Sequence, residues 1–362
     1  MSSTDRRQPL DHVRSHGGPR REELELLGLL PDDVIDFSVS TNPYGPAPAV
    51  VEAIRRAPLA AYPDPSATLA RRRLAKQLGV LPARLALGNG AADLLWSLAR
   101  ALVRPRTIVL IVEPTFGEFR AAAEAGGATV VEWRAGQDNS FRIDIKAIVD
   151  RARASRAQVA YLCAPNVPTG AGVAASDLVA LATVLSDVEI VLDQSFLLLS
   201  EHWQDLTVPF PENVTCVRSL TKEHAIPGVR VGYILASEPR IERLEHHRPA
   251  WSTSAPAQAA AVAACEETVF VAESRDRLLR DRLRMAADLA TLGFQPLPSI
   301  ANFFLLPVGD GALLRRKLLA NHRILVRDCA SFGLPSLVRL SARPAGDCAR
   351  LLAAIRSEMP WC

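Results

Sequence analysis

The residues from 219 to 233 read SLTKEHAIPGVRVGY, which sets Lys222 behind two small hydroxyl residues, Ser219 and Thr221, and eight positions before Arg230. A lysine that attacks a carbonyl has to be held as the neutral amine, and partial desolvation at a strand end favours that form. Ser219, Thr221 and Arg230 together carry the donors needed to bind a phosphate. Taken alone, Lys222 reads better as a surface lysine and Arg230 as a structural arginine, but their surroundings change the balance. Asp193 closes the mostly apolar run 188–192, and a carboxylate there suits the task of keeping a heteroaromatic ring nitrogen protonated. Taken alone it is a helix cap or a turn residue, so its assignment depends on Lys222. Gly88, Asn89, Gly90, Ala91 and Ala92 stand directly before an apolar-periodic stretch. Such a turn exposes backbone N–H groups at the positive end of a helix, where phosphate binds. Phe116, in EPTFGEF, is placed either to lie flat over a cofactor ring or to fill the core, the two readings being about equal.

These residues need a frame that brings strand ends together. Between residues 46 and 237, short β-branched runs alternate with alanine- and leucine-rich stretches of helical period, the pattern of strands joined by crossover helices. Strands are expected at 107–112, 128–133, 158–163, 189–193, 214–219 and 231–235. An α/β fold follows, with a mostly parallel central sheet covered by helices on both faces. After about residue 240 the character changes to a long charged helix, 273–292, short strands near 303–307, 324–327 and 337–341, and a last helix near 345–357. That part reads as a smaller α+β domain. The expected division is an N-terminal arm, 1–45, packed on the small domain, a large domain, 46–240, and the small domain, 241–362.

Composition narrows the partners. A chain of 362 residues, 49% of them apolar, is long enough for two cores. Its 42 basic and 39 acidic residues are dispersed, with no basic arm for a nucleic-acid backbone, so the expected partner is a small molecule. The cysteines at 163, 216, 265, 329, 348 and 362 form neither a CxxC pair nor a disulfide or zinc spacing, and no metal site is expected. Neither a signal-peptide core nor a membrane-length apolar run is found, and a cytoplasmic location is expected.

In order along nearly the whole chain stand HGG at 16–18, IDFSVSTNPYGP at 35–46, AYPDP around Tyr62, APNVPTG at 164–170, the SLTK segment, ANFFLL at 301–306, ILVRDCASF, and VRLSAR. Together they make the chain resemble the histidinol-phosphate aminotransferase group of fold-type I pyridoxal-phosphate (PLP) enzymes, and most of all the threonine-phosphate decarboxylases of corrinoid biosynthesis. The resemblance implies PLP as cofactor, with Lys222 as the Schiff-base lysine, Asp193 at the pyridine nitrogen and Phe116 stacked on the ring. It implies a phosphate site made by Gly90, Ala91, Ala92, Ser219, Thr221 and Arg230, joined by Tyr62 from a second subunit, hence a homodimer with shared active sites. It gives Arg339 the substrate carboxylate, Arg327 and His16 the substrate phosphate, and Asn42 a place near the amino-acid end.

Three positions depart from the family pattern. Val167 stands where an asparagine bonds the ring oxygen, Asp193-Gln194-Ser195 replaces Asp-Glu-Ala, and Phe196 replaces the tyrosine of the aminotransferases. The leading expectation from the resemblance is an α-decarboxylase of a phosphorylated amino acid. An aminotransferase is the alternative, followed by a specialised PLP enzyme of elimination, cyclisation or oxidation, and last by a non-catalytic paralogue.

Overall fold

Runs such as IVLIVE and EIVLD have no polar face, so helices must cover both of their sides. The computed structural model, which describes residues 16–204 and 209–359, buries them in that way. After a two-residue strand β1 (Ile35–Asp36), the chain forms β2 (Leu85–Gly88), β3 (Ile108–Glu113), β4 (Thr129–Arg134), β5 (Val159–Cys163), β6 (Glu189–Asp193), β7 (Val214–Ser219) and β8 (Gly232–Leu235). These last seven make one sheet in the order β2-β8-β7-β6-β5-β3-β4. From β7 to β4 neighbours are parallel, while β8 runs antiparallel to both β7 and β2. Alternate residues feed two cores. Leu110, Leu162 and Leu192 pack under the helices Ile145–Ser155 and Ala175–Val184, and Val109, Tyr161 and Val191 under the helix Gly90–Leu102.

Because these strands run parallel, their C-terminal ends share one edge, which carries Glu113, Cys163, Asp193 and Ser219. The chain fills the sheet outward in opposite directions from β3 and β5, and the crevice at such a reversal is where open α/β sheets bind ligands.

The rest of the chain adds the helix Thr268–Thr291, β9 (Phe303–Pro307), the helix Gly311–His322, β10 (Ile324–Leu325), β11 (Arg327–Asp328), β12 (Leu337–Ser341) and the helix Ala345–Glu358. β11, β12 and β9 form an antiparallel sheet over a core of Phe37, Met285, Phe304, Leu306, Val338 and Leu351. β1 pairs in parallel with β10, Ile35 opposite Ile324, which ties the preceding arm to this part. Residues 1–15 of the expected arm, and Cys362, lie outside the described residues.

Several boundaries differ from the sequence reading. The strand expected at 324–327 is two strands broken at Val326, and the long helix starts at Thr268, five residues earlier than expected, through a TVFV stretch whose β-branched residues hide the helical period. A domain limit at 240 falls inside the helix Glu238–Glu245, whose Ile241 and Leu244 pack in the core of the large sheet. The following helix, Ala255–Ala264, packs on the large part too, against Val50, Ala70 and Leu74. The change in composition near 240 therefore marks a change from strands to helices, not a change of core. Among the described residues no helix is long and apolar enough to cross a membrane, and no group of three metal-ligating side chains is found.

Candidate active site

The strand-end edge opens into a cavity of about 480 Å³, lined by Lys222, Asp193, Arg230, Arg339, Phe116 and Ser195 among others. Lys222 reaches it because β7 ends at Ser219 and the chain turns at once, Thr221 N–H donating to Ser219 Oγ at 3.0 Å. Its Nζ sits 5.4 Å from the centre of the Phe196 ring. Burial pushes the Lys222 amine down to about 8, the cations Arg339 and Arg230 add to the effect, and Asp193 and Glu223 oppose it. Near neutral pH that leaves far more free amine than a solvated lysine has, and the free amine is what a carbonyl-attacking lysine needs.

Asp193, the last residue of β6, is 2% exposed. Tyr161 Oη donates to its Oδ2 at 3.0 Å and the Ser195 N–H to its Oδ1 at 2.9 Å, so the carboxylate cannot turn away. Desolvation raises its pKa, against the pull of Ser195, Tyr161 and Lys222. A fixed, buried carboxylate of this kind is best matched by a cationic N–H, such as a protonated pyridine nitrogen.

Across the cavity, the helix Gly90–Leu102 opens with Gly90 at φ +81°. A Cβ there would meet Arg230 Nη2 at 2.6 Å, so the glycine is what lets the guanidinium lie against the helix N-terminus. Arg230 is itself in the left-handed region, φ 58°, with Nη1 donating to Pro227 O at 2.9 Å. Ser219 Oγ and Thr221 Oγ1 face each other at 2.7 Å. The backbone N–H groups, two hydroxyls and a guanidinium converge as a phosphate cradle would require.

The small domain supplies the opposite wall. Arg327 and Arg339 are direct cross-strand partners on β11 and β12, both buried. Arg339 Nη2 donates to Ser38 O at 2.6 Å, while its Nε is buried without a partner. Burial pushes the Arg339 guanidinium down to about 10, and Arg327 beside it pushes the same way. Two buried guanidiniums side by side are costly unless an anion joins them. His16 closes the third side, 5.5 Å from the Phe116 ring, with Nε2 at 3.0 Å from Glu118 Oε1. Glu118 also accepts from Trp96 Nε1 at 2.7 Å and itself lines the cavity.

Three expected site residues are not among those lining the cavity: Gly90, which starts its helix against Arg230, Asn42 and Tyr62. Asn42 is not among the residues lining the cavity: its Nδ2 donates to Glu223 O at 3.0 Å and its Oδ1 accepts from Tyr44 N–H at 3.0 Å, so it braces the Lys222 turn from behind. Tyr62 is 80% exposed and stacks on Trp251 with ring centres 4.7 Å apart, away from this chain's own cavity. The sequence reading missed Tyr161 and Glu118. Tyr161 is hidden in the apolar run of β5, whereas the signal for Glu118 was available, an acid in the first turn of a helix directly after Phe116.

The residues present fit a phosphate-bearing pyridine aldehyde: a cradle that an added Cβ would fill, a clamped carboxylate, a desolvated amine and an orphaned guanidinium nitrogen. Comparison with known proteins points the same way. The family model for aminotransferase class I and II matches residues 32–356. Histidinol-phosphate aminotransferase 1 of Thiobacillus denitrificans is 32% identical over 95% of this chain and 91% of its own length. A histidinol-phosphate aminotransferase of Geobacillus sp. is 32% identical over 89% of both chains. Among solved structures, histidinol-phosphate aminotransferase of Sinorhizobium meliloti, in complex with pyridoxal-5′-phosphate, superposes with a TM-score of 0.83 at 26% identity over 99% of both chains. L-threonine-O-3-phosphate decarboxylase of Porphyromonas gingivalis superposes with a TM-score of 0.74 at 24% identity over 89% of this chain and 98% of its own, a likeness of fold alone.

Proposed function

This chain belongs to the class I and II aminotransferase family of fold-type I PLP enzymes, and from that membership we propose that it is an aminotransferase for an amino-acid-type substrate carrying an anionic group. The observation that carries the proposal is the desolvated Lys222 facing the clamped Asp193 beneath a buried arginine pair. The cofactor is pyridoxal 5′-phosphate, which when bound supplies an electron-withdrawing ring that accommodates the charge left as a bond at the substrate α-carbon breaks.

The chain's own residues divide the remaining work. Gly90, Ala91, Ala92, Ser219, Thr221 and Arg230 hold the phosphate, and Asp193 holds a proton at the ring nitrogen. Phe116, which lines the cavity, would pack against the cofactor ring. Lys222 would hold the cofactor through Nζ and, as a desolvated amine, would carry a proton at the same atom. Arg339 takes a substrate carboxylate through two parallel N–H bonds, and Arg327 with His16 takes a second anion. Phe196, Phe303 and Phe332 keep water out. Tyr62 completes the site of a second copy in a homodimer.

The curated relatives favour transamination over the decarboxylation that the motifs alone put first. Decarboxylation stays as the second reading on one observation: Val167 and Phe196 stand in an apolar cluster with Cys163, Ala301 and Phe303, where the aminotransferase pattern has an asparagine and a tyrosine. The two are separated by incubating loaded enzyme with histidinol phosphate, phosphothreonine, phosphoserine and free amino acids, each with a keto-acid acceptor. Amino transfer to the acceptor without carbon dioxide is the expected result. Carbon dioxide released from phosphothreonine without amino transfer would install the decarboxylase reading instead, and neither product from any substrate would remove both. Arg327→Ala should penalise only substrates with a second anion. Equal losses for phosphorylated and unphosphorylated amino acids would remove its phosphate role.

A further inference from the structure

The cavity has one hydroxyl that nothing in the foregoing uses. Five hydroxyl side chains line it: Ser38, Ser40, Ser195, Ser219 and Thr221. Ser38 Oγ accepts from Gly18 N–H and donates to Asp36, Ser40 Oγ is 2.6 Å from Ser341 Oγ, and Ser219 and Thr221 face each other. Ser195 Oγ is buried and meets no partner with hydrogen-bond geometry, although it lies close enough to Asp193 to favour the ionised carboxylate. Of the cavity-lining side chains, only Arg339 shares this condition, through its Nε, and a substrate anion accounts for that atom. A buried hydroxyl left unpaired is costly, so a ligand atom is the natural partner.

The chemistry of the cofactor says which atom is short of a donor. Its ring carries a nitrogen, which Asp193 would hold, and an oxygen on the ring carbon next to the one that bears the aldehyde for Lys222. The wall beside Lys222 is Cys163, Val167 and Phe196, packed with Ala301 and Phe303. Val167 and Phe196 have no side-chain donor, and Cys163 Sγ is committed to Pro165 O at 3.2 Å. Ser195 is adjacent to Phe196 in the chain, and its backbone N–H, fixed on Asp193 Oδ1, anchors it at this wall. We propose that Ser195 is a further cofactor-contacting residue, its Oγ donating a hydrogen bond to the ring oxygen in place of the donors missing at positions 167 and 196.

This inference rests on Lys222 holding the cofactor, and the test keeps the two apart. A donor to that oxygen favours its deprotonated form and so lowers the pH at which the visible absorbance of the loaded enzyme titrates. In Ser195→Ala the titration should move upward by about one pH unit, and the equilibrium affinity for PLP, read from protein fluorescence, should fall roughly five- to tenfold. Ser195→Thr, which keeps the hydroxyl, should restore both, and adding Val167→Asn to Ser195→Ala should bring the titration back down. An unshifted titration in folded Ser195→Ala, or a shift that the second substitution leaves in place, would overturn the assignment to the ring oxygen. Failure of the underlying reading shows separately, because Lys222→Ala mixed with PLP would then still develop the protein-bound visible band.

Discussion

Lys222 lines the cavity, Glu223 follows it in the chain and is buried, and burial moves the two in opposite directions. The Lys222 amine is pushed down to about 8 from an ordinary 10.5, so cofactor-free protein should capture PLP at a rate that rises with pH through a midpoint near 8. A midpoint near 10.5 would mean a solvated amine. Borohydride trapping and peptide mapping should find the label at Lys222 and nowhere else, and Lys222→Ala should carry none. Glu223 is 2% exposed, its Oε1 has no partner, and burial pushes its carboxyl up to about 8, against Lys222 and Arg218 nearby. For an acid whose pKa is higher in the folded chain than the ordinary 4.5, the folded state binds more protons between the two values. Stability is then full below 4.5 and declines as pH rises to about 8. Glu223→Gln keeps the shape without the charge, so its gain over the wild type should grow across that window and reach about 1–3 kcal/mol at pH 8. Thermal unfolding of both proteins at intervals of pH measures it, and a gain that does not vary with pH would show that Glu223 is not the group being titrated.

Single elements act on the site mainly through where they end. Gly90 begins its helix at φ +81°, a value that costs any other residue strain, and its missing Cβ leaves the space that Arg230 fills. Gly90→Ala should therefore displace Arg230 and weaken PLP binding at least about tenfold, or about 1.4 kcal/mol, while leaving capture by Lys222 at saturating cofactor intact. Fluorescence titration with PLP against titration with pyridoxal, which lacks the phosphate, checks the mechanism, since only the phosphorylated form should lose affinity. Much of this element-level arrangement was legible in the sequence. Apolar β-branched runs gave β3, β5, β6 and β7 to within a residue, and Asp193 and Ser219 were read at their ends because a strand buried on both faces has a sharp polar boundary. The strand β2 was not legible: LALG is short, lacks β-branched residues and is a strand only because β8 pairs with it. Tyr161 and the Ser195 hydroxyl were not read as site residues either, since the one acts through Asp193, 32 positions away, and the other stands out only through its surroundings in the fold, whereas Glu118 was legible in the first turn of its helix and was passed over.

At the scale of the whole molecule, one surface remains unexplained by a single chain. Leu59, Tyr62 and Leu69 are 83%, 80% and 58% exposed around the segment that joins two helices of the large part, and Tyr62 lies on Trp251, itself 49% exposed. Large apolar and aromatic groups grouped on a surface mark a protein contact more often than chance exposure does. The resemblance places Tyr62 in the phosphate site of a neighbouring copy, and its absence from this chain's own cavity is compatible with that. A two-fold pair of this kind would be isologous, each copy lending Tyr62 to the other. Sedimentation should therefore report a dimer, and Tyr62→Ala should weaken PLP binding, but neither result tells which chain's site Tyr62 serves. Mixing inactive Lys222→Ala with impaired Tyr62→Ala after subunit exchange does. In a mixed dimer one site carries both lesions and the other carries none, so random exchange at equal amounts leaves about a quarter of all sites intact. Specific activity near that fraction of wild type, measured at a PLP concentration too low to load Tyr62→Ala alone, is the expected result. If Tyr62 acted within its own chain, every site in the mixture would keep a lesion, and the activity would stay at the average of the two parents.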